Sequence, residues 1–377
     1  MGNNYVKQGN GYMFIQLSKP CYLPGETVEG TIYLRTMVPM EVDRIILQSK
    51  GYEKGSFYKT VHRDNETHVE HRHHSHTYFN QESPCFVFSV SILNPGDYAI
   101  PFSFPLPQGI TSSIQFCDRT RFEKPEMKIK YFVKAYLKNK KSDNLMKYKQ
   151  IVQVREPVIQ QQQHINKVCE RQLTTCCCIN QGTSKLDVFF EKNVFYPNEN
   201  CRAQVTLDNS KCTLRMNQVR FVVEQHISIH AGWDTYSTIY NLSTKNETGL
   251  EARHSKPEIK QFDLPLSTIK YDVGQDKKKD GTFKMRSDEA MFFLSQLQPQ
   301  VNSKHLKNEY FLGVRCDFEG CTCCSQQPNV LIPITILSQM DLQQFQIQSP
   351  PDFNPVYYDK YFMLFDPSAI QINQPQV

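Results

Sequence analysis

Cys21-Tyr22-Leu23-Pro24-Gly25-Glu26-Thr27-Val28-Glu29-Gly30-Thr31-Ile32-Tyr33-Leu34 is the stretch whose reading decides the fold. Pro24-Gly25 marks a tight turn, because proline presets φ for the first corner and glycine accepts the positive φ of the next. Beyond it Val28, Gly30, Ile32 and Leu34 share one parity, and Thr27, Glu29, Thr31 and Tyr33 share the other. That is the period of a strand with one buried face. The arrangement returns as Phe195-Tyr196-Pro197-Asn198-Glu199-Asn200-Cys201, after which Ala203, Val205 and Leu207 alternate with Arg202, Gln204, Thr206 and Asp208. A repeat at that distance points to two copies of one domain.

The rest of the 377 residues fits this outline. The length suits two domains of about 150 residues with short tails. Phe, Tyr, Val and Ile fall in short runs punctuated by Pro, Asn and Gly, and hardly any window carries a three-turn helical period, so the composition is all-β. Predicted strands lie near 12–17, 27–36, 41–51, 84–93, 97–104, 128–138 and 147–155, then near 185–191, 201–208, 215–229, 235–243, 306–316 and 330–338. A short helix is predicted over 287–297. The alternation is plainest where Met127, Ile129, Tyr131, Val133, Ala135 and Leu137 interleave with Lys128, Lys130, Phe132, Lys134 and Tyr136. One face of that strand is core, and the other is wet and basic.

The polar run Gln160–Gln163 and the cluster Cys176-Cys177-Cys178 interrupt the pattern. The predicted organisation is therefore a flexible N-terminus (1–11), an N domain (12–156), a linker with the cysteine cluster (157–184), a C domain (185–338) and a C-terminal tail (339–377). A formal net charge of +5, from 43 basic and 38 acidic residues, makes no electrostatic case for nucleic acid, although peripheral association with an anionic membrane stays open. No apolar run of about 18 residues and no secretory leader is present, which predicts a cytoplasmic chain with reduced thiols. The sequons at Asn65, Asn241 and Asn246 are then expected to be bare. Gly2 stands where N-myristoylation occurs, but Val6 occupies the position that favours Ser or Thr.

Several clusters could carry chemistry. Cys176, Cys178, Cys321 and Cys323, with Cys316 and Cys324 nearby, could hold a structural Zn²⁺; palmitoylation of the Cys176–Cys178 run and plain free thiols are the other readings. The histidines between His68 and His76 read as the solvated edge of a polar hairpin rather than as a metal site. No nucleophile elbow or phosphate-cradling loop appears, so no enzyme is expected. In the tail, Asn354-Pro355-Val356-Tyr357 has the NPxY form that phosphotyrosine-binding-type domains accept by strand addition, and Tyr361-Phe362-Met363-Leu364 has the spacing that clathrin adaptors bind. The plainer reading is that Tyr357 to Phe365 folds back onto a sandwich groove as an extra strand.

Together these residues resemble the arrestin superfamily, and within it the α-arrestins, also called arrestin-domain-containing proteins. The first match is Tyr22-x-Pro-Gly-Glu-x-Val-x-Gly. The second is Leu93-Asn-Pro-Gly-Asp-Tyr-Ala-Ile-Pro-Phe-Ser-Phe-Pro-Leu-Pro107. Then come Thr111-Ser112-Ser113-Ile114 and Ile129-Lys130-Tyr131-Phe132-Val133-Lys134-Ala135. Gly182, Tyr196–Glu199, Asp208-Asn209-Ser210, Val223-Glu224-Gln225 and Leu331-Ile332-Pro333-Ile334 are similar to C-domain landmarks, with Asn198 where the family has Gly. The resemblance implies two immunoglobulin-like β-sandwich domains in tandem, the arrestin-like fold. It also implies a non-enzymatic adaptor that joins cytoplasmic parts of membrane proteins to endocytic adaptors or a ubiquitin ligase, at the plasma membrane or endosome periphery. Pro350-Pro351-Asp352-Phe353 is one residue short of the Pro-Pro-x-Tyr motif that recruits such ligases. Lys128, Lys130 and Lys134 are the candidate surface for acidic or phosphorylated segments. A retromer-type sorting subunit and a zinc-stabilised structural or redox-sensing protein are the alternatives.

Overall fold

A computed structural model describes residues 10–64, 66–157, 161–175, 179–269, 297–320, 322, 326–337 and 352–362. The chain divides into two units: Met1–Cys117, Glu123–Pro157 and Met340–Val377 form the first, Asp118–Phe122 and Val158–Gln339 the second. Each is a β-sandwich, so the fold is all-β with two sandwiches in tandem. No helix among the described residues is long and apolar enough to cross a membrane.

In the first unit one sheet runs β1 (Gly11–Leu17), β2 (Thr27–Thr36) and β7 (Gly96–Pro105), all antiparallel. The facing sheet runs β10 (Asn144–Val152), β9 (Glu126–Lys138), β4 (Arg44–Arg63) and β5 (Glu66–Val87), with β8 (Ile114–Cys117) also on β9 and a small pair, β3 (Met40–Glu41) with β6 (Ile92–Leu93), beside it. The predicted alternation in β9 holds along its whole length: the odd positions from Met127 to Leu137 are buried and the even ones half-exposed. Ile32 and Leu34 of β2 and Ile100, Phe102 and Phe104 of β7 are also fully buried in this sandwich.

In the second unit one sheet runs β11 (Ile165–Thr175), β12 (Ile179–Phe190), β14 (Asn200–Asp208) and β17 (Glu258–Pro265). The other runs β13 (Val194–Phe195), β20 (Asn329–Ile336), β19 (Leu306–Phe318), β15 (Met216–Ala231) and β16 (Asp234–Thr248), with β18 (Val301–Asn302) on β19. Phe190, Phe195, Phe221, Phe262 and Tyr310 are fully buried between them.

The two copies of the opening turn agree at atomic level. Gly25 takes φ +79°, as a type II turn requires, the Glu26 amide donates to the Leu23 carbonyl at 3.1 Å, and the Glu26 carboxylate accepts from the Leu23 amide at 2.9 Å. In the second copy the Glu199 amide donates to the Tyr196 carbonyl at 3.0 Å, and the Glu199 carboxylate accepts from the Tyr196 amide at 2.6 Å. Each glutamate also pairs with a lysine seven residues earlier, Lys19 with Glu26 and Lys192 with Glu199. Asn198 is not at positive φ, so its tolerance of the left-handed region is unused; the second turn keeps its hydrogen bonds in a form that any residue adopts.

Two expectations change. The stretch 52–83, outside the predicted strands, forms most of a long hairpin in which β4 and β5 pair from Arg44↔Val87 to Arg63↔Glu66. Residues 165–175 and 179–184, expected as linker, are strand and pair in the second unit's first sheet. In the C-terminal stretch the plainer expectation holds: β21 (Val356–Tyr357) and β22 (Tyr361–Phe362) are strands of the first unit. The predicted helix at 287–297 falls outside the described residues except Leu297.

Candidate functional site: a tail strand on the edge of the first sandwich

β7 uses one edge for β2 and leaves the other for the tail. Val356 and Tyr357 pair in parallel with Tyr98 and Ala99, and Tyr361 and Phe362 continue in the same direction opposite Phe102 and Ser103. The Tyr358 amide donates to the Ala99 carbonyl at 2.9 Å. Such short parallel pairings give little stability on their own, so side chains must hold the tail.

The principal holder is Arg35 of β2. Register puts it opposite Asp97 of β7, and its guanidinium donates to both Asp97 oxygens, at 2.5 and 2.7 Å. This two-pronged geometry makes a charged pair more than a point attraction. The remaining donors turn to the tail: Nη1 reaches the Asp352 carboxylate at 2.7 Å and Nη2 the Asp352 carbonyl at 3.0 Å. Asp97 in turn accepts the Asn354 amide at 2.9 Å. The hydrogen bonds from Arg35 hold the Asp97 carboxyl below the ordinary carboxylate range, and the Asp97 carboxylate in turn raises the Arg35 guanidinium.

Aromatic rings do the rest. Phe353 meets the stacked pair Phe14 and Tyr33 edge-on, with centroids 5.9 and 5.4 Å away, while the Arg35 guanidinium lies 5.1 Å from its ring. Tyr358 sits against Phe86 of β5 at 4.3 Å and stacks near Tyr98 at 6.3 Å. The Tyr361 and Ser83 hydroxyls are 3.0 Å apart, and Lys360 pairs with Glu29. The tail thus spans an edge of each sheet of the sandwich.

Of the predicted site residues, Asn354, Pro355, Tyr357 and Tyr361 are brought together along β7. Asn354 contributes its backbone, Pro355 is half-buried, and Tyr357 is 66% exposed beside Tyr33, whose phenol is pushed up by burial and by that neighbour. Phe353, the residue that spoils the Pro-Pro-x-Tyr motif, is the ring seated on Phe14 and Tyr33. Lys128, Lys130 and Lys134 lie on the outer face of β9, in the other sheet of the same sandwich. Leu364 and all four proposed zinc ligands, Cys176, Cys178, Cys321 and Cys323, lie outside the described residues. Cys316 is 1% exposed in the second core, and burial raises its thiol. The described cysteines are free thiols.

A family model described as "Arrestin (or S-antigen), N-terminal domain" matches residues 13–164, and one described as "Arrestin (or S-antigen), C-terminal domain" matches residues 180–340. The chain belongs to the arrestin family. Similar proteins of two organisms are also named as arrestin domain-containing proteins. "Arrestin domain-containing protein 17" of Caenorhabditis elegans is 21% identical over 273 residues, covering 68% of this chain and 61% of the relative. "Arrestin domain-containing protein A" of Dictyostelium discoideum is 22% identical over 223 residues, covering 54% of this chain and 35% of the relative. The chain therefore spans less than two thirds of the length of each.

Sequence reasoning placed an extra strand in the arrestin tail but missed the residues that seat it. Arg35, Asp97, Phe14 and Phe86 look like ordinary strand residues in sequence. The one available signal was Arg35 and Asp97, a lone cation and a lone anion at the ends of two strands that the family resemblance makes neighbours.

Proposed function

We propose that this protein is a non-enzymatic trafficking adaptor, and that the outer edge of β7 is where it takes up an extended segment from the cytoplasmic part of a membrane protein. At the level of the family, arrestin proteins are generally adaptors without enzymatic activity, and that supports the first half. The observation that carries the second half is the tail itself: residues 352–362 lie along β7 as an added strand, held by Arg35, Asp97 and an aromatic seat. A sheet edge that accepts one segment by strand addition can accept another of like chemistry. In this reading the resident tail competes with cargo, and its release presents Asn354–Tyr357 and Tyr361–Leu364 to endocytic adaptors in the cytoplasm. Engagement of Phe353 on the sandwich disfavours direct recruitment of a WW-domain ligase through residues 350–353.

Proximity labelling in the native cell tests this, with the intact chain, a Phe353→Ala variant and a chain ending at residue 338. Membrane proteins and coat components are expected among the neighbours, with cargo labelling increased in both altered chains. Neighbours of neither kind, or cargo labelling that falls when the tail is removed, would refute the reading.

A further inference from the structure

A second surface of the first sandwich does not involve the tail edge. The outward positions of β9 present Lys128, Lys130, Lys134 and Lys138 between buried core positions. Register places Lys147 and Lys149 of β10 opposite Tyr136 and Lys134, on the same face. From the other side β4 brings Lys50 opposite Phe132 and Lys54 opposite Lys128. Against these eight lysines, register puts two carboxylates on this face among the described residues of the four strands, Glu126 and Glu82. The surplus of six positive charges exceeds the formal net charge of the entire chain, +5. At the end of the sheet Arg44 is paired with Asp43 at 3.2 Å and adds little.

The lysines are interleaved with rings. Lys134 Nζ lies 4.4 Å from the ring centre of Tyr136, Lys149 Nζ 4.3 Å from that of Phe132, and Lys54 Nζ 5.4 Å from that of Tyr52. Each ring thereby places an ammonium group over the outer surface of the sheet, and Lys54, Lys147 and Lys149 are exposed. A peptide ligand needs an edge or a groove to fix its backbone, and here the strands β10, β9 and β4 are paired side by side, so this face offers neither. A broad cationic sheet face with amphipathic rings suits a two-dimensional anionic surface. We infer that the outer face of the β10-β9-β4-β5 sheet is a docking face for anionic phospholipid headgroups on a bilayer. Seated there, the protein keeps the β7 edge at the side of the sandwich, clear of the lipid.

Vesicle co-sedimentation with the full chain tests the inference. Binding is expected to vesicles of phosphatidylcholine with one third phosphatidylserine, with none to pure phosphatidylcholine, and to fade as salt is raised. Each lysine near such a surface contributes about a fivefold change in affinity, so Lys128→Gln, Lys134→Gln and Lys149→Gln together should weaken binding about a hundredfold. Lys167→Gln, Lys185→Gln and Lys256→Gln, exposed positions in the second unit, should leave it within about twofold, and circular dichroism of both triple variants should match the parent. Equal binding to the two vesicle types, equal losses in the two triple variants, or capture of a phosphorylated peptide by these lysines with no vesicle binding would each overturn it. None of these outcomes depends on the tail, so failure here is separate from failure of the adaptor reading.

Discussion

Replacing Phe353 with alanine should loosen the tail while leaving the sandwich intact. The ring is half-buried, so losing it forfeits about half of the 1.5–3 kcal/mol of a fully buried phenylalanine, roughly 1 kcal/mol. Its two edge-on contacts, at 5.9 Å to Phe14 and 5.4 Å to Tyr33, contribute about 1 kcal/mol beyond area. The guanidinium of Arg35 at 5.1 Å adds about 0.5 kcal/mol. The sum is about 2.5 kcal/mol, or roughly a 60-fold rise in the fraction of time the tail is open. Native-state hydrogen exchange reads this directly at the Tyr358 amide, which is bonded to Ala99 and opens with the tail. That amide should exchange about 60-fold faster, while amides of the β2–β7 ladder change by less than about threefold. If the Tyr358 amide accelerates by less than about fivefold, the aromatic seat is not what holds the tail; if the ladder accelerates equally, the tail is part of the sandwich's cooperative unit.

The remaining predictions concern charge, backbone and thiols. Because Arg35 holds the folded-state pKa of Asp97 below its unfolded value, that contribution is present above the ordinary carboxylate range near pH 3.9 and is lost as pH falls through the lower folded value; the Asn354 amide resonance, bonded to Asp97, should therefore begin to shift only below about pH 3.9. Gly182 takes φ +92°, and a Cβ there would lie 1.8 Å from the Lys211 carbonyl oxygen, so Gly182→Ala should cost the second unit about 3 kcal/mol or more, read as a fall in its unfolding midpoint. Cys85 is buried with its thiol pushed up to about 12, and burial also raises Cys201 and Cys316, so alkylation at neutral pH followed by mass spectrometry should mark the half-exposed Cys169 long before those three.

The parts of the fold visible in the sequence are those whose side chains alternate between core and water. The expected bounds of β2 and β9 lie within two residues of the observed ends because nearly every second residue is apolar and buried. The outer part of the β4–β5 hairpin was invisible for the converse reason: from Glu66 to Thr77 no position is buried, and ladder hydrogen bonds to the partner strand leave no trace in residue type. β11 fails in the same way, with Leu173 its one buried residue. The duplicated turn was legible, and the lysine seven residues before each glutamate was an unread second signal of the same duplication. At the candidate site the motif residues were legible as motifs, but their seating was not. Asp352 and Arg35 are separated by 317 residues in the chain, and their proximity follows only from the assembled sheet.

The way the tail is held suits the proposed role of a replaceable strand. Its two strands, Val356–Tyr357 and Tyr361–Phe362, are two residues long, and pairing of that length is marginal without side-chain support. The support is concentrated in a carboxylate offered to Arg35, a ring offered to Phe14 and Tyr33, and a second ring offered to Phe86. Arg35 and Asp97 stay bonded to each other when the tail leaves, so release strands no buried charge and the vacated edge keeps its geometry. On the proposed reading, an incoming segment that brings an acidic residue followed by an aromatic one in extended conformation meets the same holders, and has to outcompete the effective concentration of the tethered tail. On that reading the edge favours the chemistry that Asp352 and Phe353 display, and the tail's own sequence is the first guide to a competing segment.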